Sequence, residues 1–275
     1  MTDKAKTVVV TGASSGIGKA TARLFAEKGW NVVGAMRQPA LEKELVASDV
    51  IRLVVLDVQD VSSVIAAVAA SVSAFGTIDV WVNNAGYGTL GPVEAASRAQ
   101  VQRQYDVNVF GLIDCVKAIA PHFRTNGGGV LINVSSAGGL MAFPAYAIYN
   151  STKFAVEGLS EGLWYELGRS GIKVKIVEPG ITKTNFGGRS MDVLDHSALP
   201  AYAQMMEVID AGRKRNARNS STPEAVANTI YEAATDPGER LRYLVGADAK
   251  RLWRLRRWLG AQAQMRIIRR LLKKG

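Results

Sequence analysis

Short runs of β-branched residues that alternate with longer helix-compatible stretches constrain this 275-residue chain more than any other feature. TVVVTG is followed by a helix from about Gly16 to Lys28, then come NVVGAM, IRLVVLDV, a helix from Val61 to Phe75, and DVWVNNAG. The pattern continues through a long segment from Ser97 to His122, GVLINVSS, a helix near Tyr149 to Arg169, and IKVKIVEPG. LRYLVG, Leu241 to Gly246, reads as a last strand. Apolar strand runs separated by helices predict an α/β fold: a doubly wound parallel sheet covered on both faces, three layers deep. Ligands of such sheets sit at the carboxyl ends of the strands.

No internal repeat or low-complexity linker interrupts the alternation, so residues 1–248 read as one domain, followed by a helical extension over 249–275. Residues 185–222 differ: strand alternation lapses, GG, LP and STP breaks appear, and Phe186, Met191, Leu194, Leu199, Tyr202, Met205 and Met206 supply apolar bulk. A long insertion beside a ligand site suits a lid or substrate loop. Cys115 is the only cysteine, and His122 and His196 form no ligand cluster with it, so neither an intrachain disulfide nor a metal site is expected. No apolar run of about 18 residues suggests a membrane span, and a reducing cytoplasm is the expected location.

The net charge of +10 is a property of the tail. Ten basic residues and no acidic one fall between Lys250 and Lys274, which leaves 24 basic against 24 acidic residues in the body.

The first strand runs into Thr11-Gly12-Ala13-Ser14-Ser15-Gly16-Ile17-Gly18 and then a helix. Glycines there let the backbone turn tightly and approach a pyrophosphate, whose charge is favoured by free N–H groups at the helix start. An ordinary tight turn is the plainer alternative, but the placement in the first βα unit favours phosphate binding. At the end of the second strand Met36 is followed by Arg37 rather than an acidic residue. An arginine there accommodates the 2′-phosphate of NADP, whereas an acidic residue holds the ribose of NAD. Arg37 could also be a solvated strand-end charge, and Ser15 adds no second cation, so NAD stays possible.

Five motifs in order give the chain its resemblance. TGASSGIG, NNAG at Asn83 to Gly86, the Asn108 of NVFG, the Ser136, Tyr149 and Lys153 set, and PGITKT at Pro179 to Thr184 together resemble the short-chain dehydrogenase/reductases over roughly residues 6 to 247. The G-x-x-x-G-x-G spacing of the turn is that family's rather than the usual dinucleotide fingerprint. The resemblance implies a Rossmann-type fold and a nicotinamide cofactor held by Gly12, Ser14, Ser15, Gly16, Ile17 and Gly18. It implies further contacts from Asp57 and Val58 at the adenine, Asn84, Ala85 and Gly86 along the cofactor, and Pro179, Gly180, Ile181, Thr182 and Thr184 at the nicotinamide end. It also implies a homodimer or homotetramer.

A free tyrosine titrates near 10, too high for easy proton exchange at neutral pH. Lys153, four residues after Tyr149 and so on the same helical face, is placed to favour the phenolate. In the resembled family the tyrosine donates or accepts the proton while hydride passes between nicotinamide and carbon. Lys153 would also hold the nicotinamide ribose, Ser136 would orient the reacting oxygen, and Asn108 would hold a water linking Lys153 to solvent. Each has an ordinary alternative: a buried helix tyrosine, a snorkelling lysine, a strand-end serine, a helix-local asparagine. Tyr146 has Asn150, not lysine, at the fourth position after it and is assigned to the pocket wall.

Leu140, Met141, Phe143, Tyr146 and Phe186, with Ser136 and Tyr149, make an apolar pocket with few charges to grip an anion. Such walls suit a lipophilic alcohol or ketone, and the YNSTKFAVEGLSEGLWYEL run is similar to the hydroxysteroid and retinol dehydrogenase-like branch. The competing reading is a nucleotide-sensing or scaffolding protein that keeps the fold without turnover. In the tail, Ala261, Met265, Ile268 and Leu272 recur at helical spacing opposite Arg266, Arg269, Arg270, Lys273 and Lys274, with a break at Gly260. Packing against the body or a second subunit, peripheral contact with an anionic membrane, and, last, nucleic-acid binding are its three readings.

Overall fold

The computed structural model describes residues 5–184, 186, 190–216 and 220–273. Parts of the expected substrate loop, at 185, 187–189 and 217–219, and of the tail, at 274–275, lie outside them. Seven strands form one parallel sheet: β1 (Thr7–Thr11), β2 (Asn31–Met36), β3 (Ile51–Val55), β4 (Val80–Asn83), β6 (Gly129–Val134), β7 (Ile172–Pro179) and β9 (Arg242–Val245). Their order across the sheet is β3-β2-β1-β4-β6-β7-β9. The chain thus builds outward from β1 to β3, crosses back, and continues on the other side from β4. This is the doubly wound Rossmann-type arrangement that the alternation predicts, with its topological switch between β1 and β4.

The pleat of β1 divides the core. Val9 points to the face covered by α2 (Val61–Phe75), α4 (Gly111–Thr125) and α6 (Ala147–Gly168), through residues such as Val64, Phe123, Val156 and Leu163. Val8 and Val10 point to the other face, under Phe25 of α1 (Gly16–Glu27) and Val226 and Ile230 of α8 (Pro223–Thr235). Alternate residues of one strand therefore close two separate cores, giving the three layers.

The segment expected to run unbroken from Ser97 to His122 has a more particular shape. Ser97 caps α3 (Arg98–Tyr105) in a reciprocal pair with Gln100. Residues Asp106–Phe110 then widen into a π turn, in which Gly111 N–H bonds the Asp106 carbonyl five residues back, before α4 continues. The insertion is also more ordered than the lapse of alternation predicts. Met191–Val193 forms a short strand, β8, parallel to β5 (Gly88–Leu90), with Gly88 opposite Met191 and Leu90 opposite Val193. After it, α7 (Ala203–Asn216) lays Met206 beside Leu90 and Ala145 in a satellite apolar cluster. Three residues are too few to show a period, which is why the strand escapes a sequence reading.

The tail forms α9 (Ala247–Lys273), interrupted at Gly260, whose φ of 76° lies outside helical space. Beyond the break the helix docks on the body by Gln264, 2% exposed, with Ile268 and Leu272 partly buried. This corrects the expected stripe: Met265 is 65% exposed and Ala261 is exposed. The break at Gly260 uncouples the two halves, so the inner face of the second half is set by what it lands on.

Candidate active site

Two loops meet at the switch between β1 and β4. Thr11 Oγ1, at the end of β1, accepts the backbone N–H groups of Asn84 and Ala85, both at 3.0 Å, and Asn84 Nδ2 donates to the Thr11 carbonyl at 2.9 Å. Asn84 is thereby committed to bracing the glycine turn, a job its expected place along the cofactor did not anticipate. The turn is also fastened to β2, through Ala13 N–H and the Ala35 carbonyl at 3.1 Å. Arg37, two residues beyond, is exposed just past the strand end.

The turn fits a dinucleotide phosphate by what it leaves out. Gly12 sits at φ 68°, and a Cβ on Gly18 would meet the Gly12 carbonyl oxygen at 2.4 Å and Asn84 Nδ2 at 2.5 Å. Ser15 stands at the N-cap of α1 but makes no side-chain cap bond, and no acidic residue occupies the first turn. The donors at the start of α1 therefore remain available to an anion. An opening of about 400 Å³ beside them is lined by Gly16, Lys183, Thr184 and Pro223. Lys183, which sequence reasoning missed, lies between two expected contact residues, is exposed and lines this opening. Asp57 Oδ1 accepts Gln59 N–H at 3.0 Å and Val58 is buried at the carboxyl end of β3.

At the other end, the loop after β7 is tied down by a residue that sequence reasoning missed. Asp248, at the start of α9, accepts Ile181 N–H on Oδ2 at 2.8 Å, and a Cβ on Gly180 would strike this carboxylate at 2.3 Å. Thr182 pairs with Ser221 in an isolated bridge, and Thr184 lies against Gly16. Pro179 through Thr184 therefore span from the sheet end back to the glycine turn.

The groups expected to handle the proton converge above β6. Ser136 caps the short helix α5 (Ala137–Leu140), its Oγ accepting Gly138 N–H at 3.0 Å. Tyr149 comes from the first turn of α6, half-buried, with Phe186 edge-on at 5.9 Å and Tyr146 at 6.3 Å between ring centroids. Burial pushes its phenol up to about 12, and the neighbouring Ser136 hydroxyl pulls the other way. Lys153 is 8% exposed, its Nζ donating to the Val134 carbonyl at 3.0 Å and lying 5.8 Å from the Tyr149 ring centroid. Burial brings its ammonium down to about 8, and Glu157 one turn on pulls it upward. Burial is the largest influence on both groups, opposed by Ser136 at the phenol and by Glu157 at the ammonium.

Asn108 sits in the π turn and is 2% exposed. Its Oδ1 accepts Tyr87 N–H at 3.0 Å, and its Nδ2 donates to the Tyr87 carbonyl at 2.9 Å and to Thr152 Oγ1 at 3.0 Å. It clamps the β5 approach to α6 one residue from Lys153, which neither a helix-local role nor the motif reveals. Gly86 makes room for it, since a Cβ there would lie 3.1 Å from Asn108 Oδ1.

Beneath Lys153, Arg242 of β9 ties three carboxylates. Its guanidinium meets Glu157 in a short contact, Glu178 at 2.7 Å and Glu161 at 2.6 Å. Glu157 and Glu178 are 6% and 0% exposed, and among the described residues Glu178 Oε2 has no hydrogen-bond partner. Burial raises both carboxyls, and the Glu157 charge adds to the rise at Glu178, which reaches about 8, while Arg242 pulls both down.

The expected pocket residues separate into two groups. Phe186 and Tyr146 flank Tyr149, and Phe143 stays partly exposed nearby in sequence. Leu140 and Met141 are buried, and the Met141 sulfur receives Gln264 Nε2 of the tail at 2.8 Å. Cys115 is buried with its thiol pushed up to about 12, and His122 Nε2 accepts Ile78 N–H at 3.0 Å. Among the described residues no three His, Cys, Asp or Glu side chains gather as metal ligands, and no helix is long and apolar enough to cross a membrane.

Comparison with known proteins is consistent with this geometry. The family model for short chain dehydrogenases matches residues 6–193. A 3-ketodihydrosphingosine reductase of Bacteroides thetaiotaomicron is 35% identical over 243 residues, covering 87% of each chain. A short-chain dehydrogenase from Streptomyces avermitilis superposes with a TM-score of 0.85 at 33% identity, over 99% of both chains. ElxO with NADP bound gives 0.71 at 28% identity, over 87% of this chain and 97% of its own.

Proposed function

The chain belongs to the short-chain dehydrogenase/reductase family and is an NAD(P)-dependent oxidoreductase; on that premise we propose that it interconverts a lipophilic alcohol and its ketone or aldehyde, with Tyr149 as the proton donor and acceptor and NADP(H) as the preferred dinucleotide. The observation that supports the reading is the approach of Ser136 and Lys153 to Tyr149, whose ring is flanked by Phe186 and Tyr146.

The nicotinamide supplies or takes the hydride when bound; the chain must supply everything else. Gly12, Gly16 and Gly18 leave the backbone bare where a pyrophosphate would be held, with Ser14, Ser15, Ile17 and Lys183 as the residues that would hold it beside them. Ala85, Gly86, Pro179, Gly180, Ile181, Thr182 and Thr184 would hold the dinucleotide toward its nicotinamide end. In reduction, Tyr149 Oη gives its proton to the carbonyl oxygen as negative charge builds there. A phenol titrating near 12 keeps that proton until the charge develops, and in oxidation the same oxygen must take the proton back. Lys153 then earns its place: its ammonium stabilises the phenolate left behind. Ser136 Oγ offers a second hydrogen bond to the reacting oxygen, and Asn108 holds the Tyr87 segment against α6.

Arg37 supports the NADP preference, being exposed beside the glycine turn with no acidic residue in its place. The aromatic pocket supports a lipophilic substrate, and the sphingoid ketone named for the Bacteroides relative is of that chemical kind. The intact Ser136, Tyr149 and Lys153 set argues against a sensing or scaffolding role without turnover. Assembly as a homodimer or homotetramer through α4 and α6 completes the reading, supported by exposed Phe110, Phe154 and Tyr165.

The test is a panel of long-chain, steroid and retinoid ketones and aldehydes with NADPH and with NADH, followed by cofactor absorbance, alongside Tyr149→Phe. Turnover with NADPH that falls by about 10²–10⁴ in the variant, with dinucleotide binding retained, is expected. A variant that binds NADPH and keeps full activity sinks the assignment of Tyr149.

A further inference from the structure

We propose that the outer face of α9 is a docking surface for an anionic phospholipid bilayer, with Trp258 and Leu259 as its inserting apex. Gly260, at φ 76°, ends the first half of the helix and makes a bend. At that bend Trp258 is 86% and Leu259 53% exposed, and Met265 stands 65% exposed just beyond. Trp253, Arg254, Arg257 and Trp258 line an open groove of about 540 Å³ on the same face. Indole rings beside guanidinium groups match the boundary between acyl chains and phosphate headgroups, where tryptophan anchors and arginine pairs with phosphate.

Charge selects the occupant. From Lys250 onward the chain has basic residues and no acidic one, which complements a surface of negative headgroups. The same face makes a poor self-interface, since a two-fold pairing would set like charges against like. Nucleic acid would answer the charge and could stack on Trp258, but it offers Leu259 and Met265 no acyl interior to enter.

The inner face of the same helix is held on the segment that follows Ser136. Gln264 is 2% exposed, its Nε2 on the Met141 sulfur and its Oε1 unpaired among the described residues. Met141 follows Ser136 by five residues in the chain, so the docked tail is anchored on the segment that leaves the candidate active site. Delivery of a lipid-dissolved substrate by this route rests on the proposed reaction; the docking itself does not.

The experiment is flotation of the full-length chain with vesicles of phosphatidylserine and phosphatidylcholine, and with phosphatidylcholine alone, in low and high salt, without substrate or cofactor. Binding to the anionic vesicles only, reversed by salt and weakened about tenfold or more in both Trp258→Ala/Leu259→Ala and Arg254→Glu/Arg257→Glu, is expected. Absence of binding to anionic vesicles, binding unchanged in both variants, a dimer in solution that Trp258→Ala dissociates, or tighter retention on duplex DNA than on vesicles at matched salt would each overturn it. Carbonyl turnover in detergent is measured separately, so loss of the reaction and loss of docking are told apart.

Discussion

Glu157 stands one helical turn beyond Lys153 on the same face of α6, and its carboxylate offsets part of the burial that brings the Lys153 ammonium down to about 8. The groups around it are Arg242 from β9, Glu178 from β7, Glu161 on its own helix and Ser135 at the end of β6. Removing the Glu157 charge lowers the Lys153 pKa further, so less of the lysine is charged at any alkaline pH. For Glu157→Gln the alkaline limb of the carbonyl-reduction pH profile should move to lower pH. A merely structural role would lower the rate at all pH values and leave the limb where it was.

Glu178 is pushed from 4.5 to about 8 by burial and by Glu157. Its folded-state pKa lies above the unfolded one, so its contribution to stability is fully present below about 4.5 and is lost as pH rises through about 8. Urea midpoints across that window should fall with rising pH in the native protein, and the slope should flatten in Glu178→Gln. An unchanged slope would show that Glu178 does not hold the proton.

Arg242→Met removes the cation shared by Glu157 and Glu178 and leaves both side chains buried. The expected loss is about 3–5 kcal/mol in unfolding free energy above about pH 8, where both are ionised, with a smaller loss at neutral pH, where Glu178 holds its proton, and a smaller one still in acid. Arg242→Met combined with Glu178→Gln should recover part of it.

Gly18→Ala places a methyl 2.4 Å from the Gly12 carbonyl oxygen and 2.5 Å from Asn84 Nδ2. Backbone and a committed side chain cannot yield cheaply, so stability should drop by about 1–3 kcal/mol and dinucleotide binding should weaken by more than stability alone explains. Fluorescence titration with NADPH under conditions where the variant remains folded is the check.

Asp248→Ala frees Ile181 N–H and the loop from Pro179 to Thr184. The dinucleotide KM should rise about tenfold, the equivalent of one charge-assisted hydrogen bond, with kcat changed less. Arg37→Asp should raise the KM for NADPH while sparing NADH, and equal effects on both would remove the NADP assignment.

Periodicity and local spacing wrote much of this protein into its sequence. β-branched runs and the helices between them determined the parallel sheet and its layers, because strand and helix each impose a repeat on the residues that face the core. The glycine turn was legible because glycine is needed where the backbone must turn left-handed or approach closely, and the proximity of Tyr149 and Lys153 because four residues bring side chains to one helical face. What lay beyond reach were contacts between distant segments with no shared period. Asn108 clamps Tyr87 and Thr152, Arg242 gathers glutamates from α6 and β7, β8 finds β5 across about a hundred residues, and Asp248 closes the loop after β7. The tail shows the division most plainly: composition made it basic and amphipathic, but the break at Gly260 and the docking of Gln264 on Met141 decided which side faces in. A helix can carry apolar residues on more than one side, and only the surface it lands on selects among them.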